Sequence, residues 1–188
     1  MQGKWYMKVI GVVGLPASGK GEFSRIAGLS GIPIVVMGDV IREAVREAGL
    51  PETDRNLGET AEALRAKEGM DAIARRCIPR IEGQSAPVVL VDGIRGDAEV
   101  DLFRVHFPRF FLIGVDAPFE VRRERLSRRG RSDDFSDPGE LVERDRREIR
   151  WGLSRALAHA DYTLENAGTL EEFEQEVRAV LREITEDP

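Results

Sequence analysis

The sequence predicts an α/β fold in three layers, a five-stranded parallel sheet with helices on both faces. Two observations carry this. Short apolar runs rich in Val, Ile and Phe alternate with longer segments whose apolar residues recur at helical spacing, as in a buried parallel sheet whose strands are joined by helical crossovers. Glycines and acids also collect just behind the apolar runs, at the end of such a sheet where ligands gather.

The elements follow in order. Lys8-Val9-Ile10-Gly11-Val12-Val13 opens the chain's apolar pattern, with residues 9–13 as a buried central strand. It runs directly into Gly14-Leu15-Pro16-Ala17-Ser18-Gly19-Lys20-Gly21, and a helical pattern opens at Lys20 and reaches Gly28. Ile32-Pro33-Ile34-Val35-Val36-Met37 is a second short strand, started by Gly31 and Pro33. Gly38-Asp39 is placed to cap a helix carrying Val40, Ile41, Ala44, Val45 and Ala48, which Gly49-Leu50-Pro51 stops. Residues 54–81 are helical again with a break near Gly69, giving two helices without a strand.

Pro87-Val88-Val89-Leu90-Val91-Asp92-Gly93 returns to a buried strand with an acid at its carboxyl end. Residues 98–107 read as a helix and Phe110-Phe111-Leu112-Ile113-Gly114-Val115 as the fourth strand. Pro118 starts a helix that enters an arginine cluster, and residues 130–139, rich in Asp, Ser, Gly and Pro, form a loop. Residues 140–159 are expected as one long charged helix containing Trp151, and Asp161-Tyr162-Thr163-Leu164 as the fifth strand. Thr169 caps the last helix with Glu172 at the capping-box position, above an apolar face of Phe173, Val177, Leu181 and Ile184. No internal repeat or low-complexity linker interrupts the pattern, so residues 1–188 are expected to form a single domain, with a helical excursion at 54–82 and a lid at 122–140.

Composition bounds the function classes. Hydrophobic residues make up 41% and charged residues 33% of the 188, and no apolar run reaches the roughly 18 residues of a membrane span. No apolar signal-peptide core follows Met1, so a soluble, cytoplasmic protein without a membrane partner is expected. Cys77 is the one cysteine, which excludes an intramolecular disulfide and a thiolate metal cluster and leaves a packed helical residue. The formal charge of −6 argues against nucleic acid as a partner. Locally the balance reverses, for Arg122, Arg123, Arg125, Arg128, Arg129 and Arg131 stand against Glu124 alone.

The loop between the first strand and the first helix carries the chemistry. Gly14 and Gly19 remove side chains that would block the backbone, so successive N–H groups can turn onto phosphate oxygens at the positive end of the following helix. Lys20 adds a full charge for the β- and γ-phosphates of a nucleoside triphosphate. Gly21 stands where a Ser or Thr hydroxyl would ordinarily meet magnesium, and Glu22 follows it. Asp92, closing a second strand, has the placement by which a carboxylate reaches that magnesium, through water.

Three further segments carry a family resemblance. Gly38-Asp39-Val40-Ile41-Arg42 is similar to the Gly-Asp-x-x-Arg segment after strand two of adenylate kinases, and Asp92-Gly93-Ile94-Arg95 resembles their Asp-Gly-x-x-Arg segment after strand three. The resemblance implies that Asp39, Arg42 and Arg95 hold the phosphate of an acceptor. Arg131-Ser132-Asp133-Asp134 with Arg144 resembles the arginines of the adenylate kinase lid, implying that both stabilise the transferring phosphoryl group. Those kinases have Thr where this chain has Glu22, so Glu22 either faces away or acts on magnesium through water.

Asn166-Ala167-Gly168-Thr169-Leu170-Glu171-Glu172 resembles instead the end of dephospho-coenzyme A kinases, where the loop lies near the donor adenine, implying a base contact for Asn166. Taken whole, the chain resembles an archaeal family of P-loop ATP-binding proteins of nucleotide-kinase type, marked by Gly-Leu-Pro-Ala-Ser-Gly-Lys-Gly, Asp-Gly-Ile-Arg and Arg-Gly-Arg-Ser-Asp-Asp. The resemblance implies a P-loop kinase fold, ATP and Mg2+ as cofactors, and transfer of the γ-phosphoryl group to a small phosphorylated acceptor. A nucleoside monophosphate is the expected acceptor. Dephospho-coenzyme A kinase-like activity and a slow ATP-hydrolysing switch are the alternatives, and nothing in the sequence fixes the oligomeric state.

Overall fold

The structure, a computed structural model, describes residues 7–129 and 138–187, the side chains of 128, 129 and 138 excepted. Its sheet has five strands in the order β2-β3-β1-β4-β5. These are β1 (Lys8–Val13), β2 (Ile34–Val36), β3 (Val88–Ile94), β4 (Phe110–Asp116) and β5 (Tyr162–Glu165), and every neighbouring pair is parallel. Parallel neighbours need crossovers, and helices supply them on both faces. Buried β-branched residues explain why the central strands are continuously apolar, since both of their faces are covered.

Alternate residues of β1 divide the interior in two. Ile10 and Val12 pack against α1 (Lys20–Leu29) through Phe23, Ile26 and Ala27, and against α9 (Leu170–Glu186) through Phe173, Val177 and Leu181. Val9 and Val13 face the opposite layer, formed by α2 (Met37–Glu47), α3 (Asp54–Glu68), α4 (Ala72–Glu82), α5 (Asp97–His106) and α8 (Leu153–Ala158). Helices α6 (Phe119–Arg129) and α7 (Pro138–Arg150) flank the chain segment 130–137, which lies outside the described residues.

Most elements lie where the pattern puts them, and α9 begins with the expected capping box of Thr169 and Glu172. Three corrections apply. Met37 belongs to α2, whose N-cap is Val36, so Gly38 and Asp39 sit inside the first turn and do not cap it. The expected long helix over 140–159 is two helices. Its break is tertiary: Gly152 adopts φ 97°, and Trp151 and Gly152 are pressed so closely onto Gly96 and Asp97 that a Cβ on either glycine would collide. The break turns α7 so that its inner face looks onto the end of β3.

Candidate functional site

The loop between β1 and α1 wraps a space at the carboxyl edge of the sheet. Ala17 holds φ 60°, a conformation that costs a side-chain-bearing residue about 1–2 kcal/mol, and Gly19 holds φ 121°. A Cβ at Gly14 would strike the Val115 carbonyl and Ser18 Oγ, and one at Gly19 would strike the Asn166 amide. The Ser18 hydroxyl is buried without a hydrogen-bond partner among the described residues. A cradle that excludes a Cβ at Gly14 and Gly19, a strained loop and an orphaned hydroxyl at the N-terminal end of α1 together fit a bound triphosphate.

Lys20 lies folded back over the loop, its Nζ donating to the carbonyls of Gly14 at 2.6 Å and Leu15 at 2.8 Å. Burial, then the nearby Arg95 charge, lowers its pKa from 10.5 to about 7; Glu148 and Asp92 oppose the shift and Arg144 adds to it. Those four groups therefore share one electrostatic neighbourhood with the loop lysine.

Asp92 sits beside Val12 in the β1–β3 register, one residue before the irregularity that brings Ile94 opposite Val13. The Ser24 hydroxyl donates to Asp92 Oδ2 at 2.8 Å and to the Lys20 carbonyl at 3.0 Å. Glu22 faces away, bound to Arg25 at 2.6 Å on the side of α9. No three His, Cys, Asp or Glu side chains form a metal cluster among the described residues. Asp92 with an oriented hydroxyl fits magnesium, a cation that takes one or two carboxylates and keeps most of its shell as water and phosphate.

A cavity of about 110 Å³ lies between the end of β3 and helices α2, α3 and α7, with Met37, Ile41, Leu57, Ala61, Ile73 and Trp151 as apolar wall. Arg42, Arg65, Arg95, Arg144 and Arg147 line it together with Asp54 and Glu148. The structure thus brings Arg42, Arg95 and Arg144 to one cavity, as the sequence motifs anticipate. It also gives each arginine a carboxylate. Arg42 pairs with Asp39 at 3.1 Å and Glu52 at 3.7 Å. Arg95 pairs with Glu148 at 2.9 Å, Arg144 with Glu148 at 3.1 Å and Asp54 at 3.2 Å, and Arg147 with Asp54 at 3.0 Å. Asp54 therefore ties the first turn of α3 to α7. Arg65 reaches the fully buried Glu99 at 2.7 Å and lies 4.1 Å over the Trp151 ring.

A second group braces the loop from behind. Asn166 donates its amide to the Ser18 carbonyl at 2.9 Å and accepts from Arg125 at 2.8 Å, so its Nδ2 is engaged by the loop and its Oδ1 by α6. Arg122 is buried, in a two-point pair with Asp145 at 2.7 and 3.0 Å, and donates to the Pro16 carbonyl at 3.2 Å. Arg123 is exposed and pairs with Glu120 at 2.6 Å. Arg131, with Ser132, Asp133 and Asp134, lies outside the described residues. Cys77 is fully buried and its thiol pKa rises to about 12, chiefly through burial, which suits a packed residue and not a nucleophile.

Several site residues escaped the sequence reading. Ser24 had a signal, its spacing of four from Lys20 placing it one turn along the same helical face. Glu148 showed only its i,i+4 spacing from Arg144, and Asp54 and Arg147 showed nothing, because Arg95 and Asp54 lie 53 and 93 residues from their partners.

A family model described as an AAA domain matches residues 10–150. The UPF0200 protein of Methanoculleus marisnigri is 64% identical over 93% of this chain and 96% of its own length. That of Methanoregula boonei is 57% identical over 97% of this chain and its own full length. Among solved structures, TT1252 from Thermus thermophilus superposes with a TM-score of 0.65 at 23% identity, covering 95% of this chain and 98% of that one. Shikimate kinase from Bacteroides thetaiotaomicron gives 0.63 at 14% identity over 96% and 99%. A gluconokinase from Sinorhizobium meliloti gives 0.59 at 20% identity over 97% and 95%. At these identities the structures establish the fold.

Proposed function

The chain belongs to the archaeal UPF0200 family, with a P-loop kinase-like fold, and on that premise we propose that it is an ATP-dependent phosphotransferase acting on a nucleoside monophosphate. The observation that supports this most is convergence. Arg95, Arg144 and Glu148 of the cavity lie close enough to buried Lys20 to act on its charge, which supports reading the triphosphate loop and the arginine-lined cavity as one site.

Lys20 exchanges two loop carbonyls for phosphate oxygens, and Asn166, Arg125 and Arg122 keep the loop from moving as it does so. Arg42 and Arg95 hold the acceptor phosphate in line, and Arg144 meets the charge that develops during transfer, with Arg131 in the same role. Asp92 would hold magnesium through water, aligned by Ser24. Magnesium held there with the nucleotide would supply positive charge against the transferring phosphoryl group. No side-chain nucleophile is needed.

One observation favours a second reading. The arginines of the cavity already have carboxylate partners, so burial alone does not demand a phosphate there. This favours a small hydroxylated acid, the kind of acceptor that the names shikimate kinase and gluconokinase suggest.

The test is an acceptor panel of nucleoside monophosphates, dephospho-coenzyme A and small hydroxy acids, scored by acceptor-dependent ATP consumption and by phosphorylated product. Stimulation by a monophosphate that is lost in Arg42→Ala and Lys20→Ala supports the leading reading. Stimulation by a hydroxy acid alone transfers the assignment to the second. ATP consumption that no acceptor raises above its water background would leave an ATP-hydrolysing switch.

A further inference from the structure

We propose that Glu148 is the positioning and specificity residue of this cavity: it aligns Arg95 and Arg144 as one two-guanidinium clamp, and its charge keeps small free anions out of that clamp. The proposal deepens the phosphotransfer reading and rests on it for the identity of the group to be clamped.

Arg95 comes from the turn after β3 and Arg144 from α7, and no local structure sets one relative to the other. Glu148 does, accepting Arg95 Nη1 on Oε2 at 2.9 Å and Arg144 Nε on Oε1 at 3.1 Å. One guanidinium on each carboxylate oxygen ties both arginines to a common anchor. A guanidinium has five N–H donors in a fixed fork; Arg95 gives one of them to Glu148, Arg144 is shared between Glu148 and Asp54 at 3.2 Å, and both arginines line the cavity.

The placement is unusual for a carboxylate with no catalytic assignment. Glu148 is 2% exposed, one turn before the Trp151–Gly152 break, and Arg95, Arg144 and Lys20 hold its pKa below the ordinary carboxylate range against the opposing effect of burial. A site that only gripped phosphate would be better without it, because Glu148 adds to Asp54 a second negative charge against the two arginines at close range. Retaining it makes the clamp weakly attractive to a lone anion. A donor phosphate carried in by the loop and an acceptor carried in by the cavity reach the arginines with binding energy from elsewhere, so Glu148 penalises the free anion more than the assembled pair.

Two variants separate charge from shape. Glu148→Gln keeps the length and removes the charge; Glu148→Asp keeps the charge and is too short to reach both guanidiniums. In a Trp5→Phe background, Trp151 fluorescence reports filling of the cavity whose wall it forms. Glu148→Gln should bind inorganic phosphate at least tenfold more tightly than the parent and show the larger upward shift of thermal unfolding with phosphate. Glu148→Asp should do neither. With an active acceptor, both variants should lose at least tenfold in kcat, while KM for the acceptor does not rise in Glu148→Gln; a merely structural residue would raise KM and lower stability in both, with no gain in phosphate binding. Equal phosphate affinity in Glu148→Gln and the parent overturns the proposal, as does undiminished kcat. Should Glu148→Gln fold only with help, rescue by phosphate but not by chloride of equal ionic strength supports it, and no rescue overturns it. The phosphate arm needs no acceptor, so failure of the acceptor panel and failure of this proposal are separate results.

Discussion

Ser24 donates a hydroxyl hydrogen bond to Asp92 Oδ2 at 2.8 Å, joining the first helix to the carboxyl end of β3. Ser24→Ala leaves Asp92 without this orienting donor. The expected outcome is a roughly threefold to tenfold weaker magnesium dependence of nucleotide binding, with a stability loss of about 1 kcal/mol from one part-buried hydrogen bond. Titrating nucleotide at several magnesium concentrations, alongside urea unfolding, checks both. Unchanged magnesium dependence would remove Asp92 and Ser24 from the metal shell.

Gly21 offers the complementary gain. A Cβ there meets nothing within 4 Å, so the missing hydroxyl is not excluded by packing. Gly21→Ser should fold at least as well as the parent, since replacing a helical glycine removes a penalty of roughly 0.5 kcal/mol. Magnesium-dependent nucleotide affinity should rise severalfold, read by calorimetry. If the affinity falls, the open space at position 21 serves something other than a metal-bound hydroxyl.

What was legible in the sequence was what local chemistry determines. The apolar runs gave the strands, the glycine-framed loop gave the phosphate site, and Thr169 with Glu172 gave a cap that needs only four residues to form. The break at Gly152 was not legible, because helical periodicity runs through it and the cause is contact with Gly96 and Asp97. The same holds for the cavity. Arg42 and Arg95 were found from their motifs, but Glu148 lies 53 residues from Arg95 and Asp54 lies 93 from Arg147, distances over which no spacing rule operates.

Arg65 and Glu99 make the pair on which the cavity floor depends most. Their side chains are 4% and 0% exposed, and Glu99 also accepts the Arg95 backbone N–H at 2.7 Å. Arg65→Met leaves a buried carboxylate with no counter-charge and should cost about 3–5 kcal/mol by denaturant unfolding. Adding Glu99→Gln should recover most of that loss, because a neutral amide can still accept from Arg95. A double variant no more stable than the single one would show that the cost lies in lost Arg65–Trp151 packing and not in the orphaned charge.

Lys20 ties nucleotide binding to pH. In the ligand-free protein its pKa falls from 10.5 to about 7, mainly through burial and then Arg95. A polyphosphate binds the charged form, so below pH 7 the lysine is already protonated and above it binding must take up a proton. Affinity should therefore fall as pH rises beyond 7, approaching tenfold per unit until the pKa of the complex is reached. The phosphate's own second ionisation, near 6, is complete by pH 7.5, so the window from 7.5 to 9 isolates the lysine. Stability of the ligand-free protein carries the opposite sign: between about 7 and 10.5 the unfolded lysine holds a proton that the folded one lacks, so this residue's contribution to stability improves as pH rises. Calorimetry in buffers of different ionisation enthalpy should find close to one proton taken up per nucleotide at pH 8.5 in the parent. Lys20→Arg, charged at every pH in the window, should find none. Proton uptake that persists in the arginine variant, or affinity that stays level from pH 7.5 to 9 in the parent, would place the titrating group elsewhere and leave Lys20 as a permanently charged member of the loop.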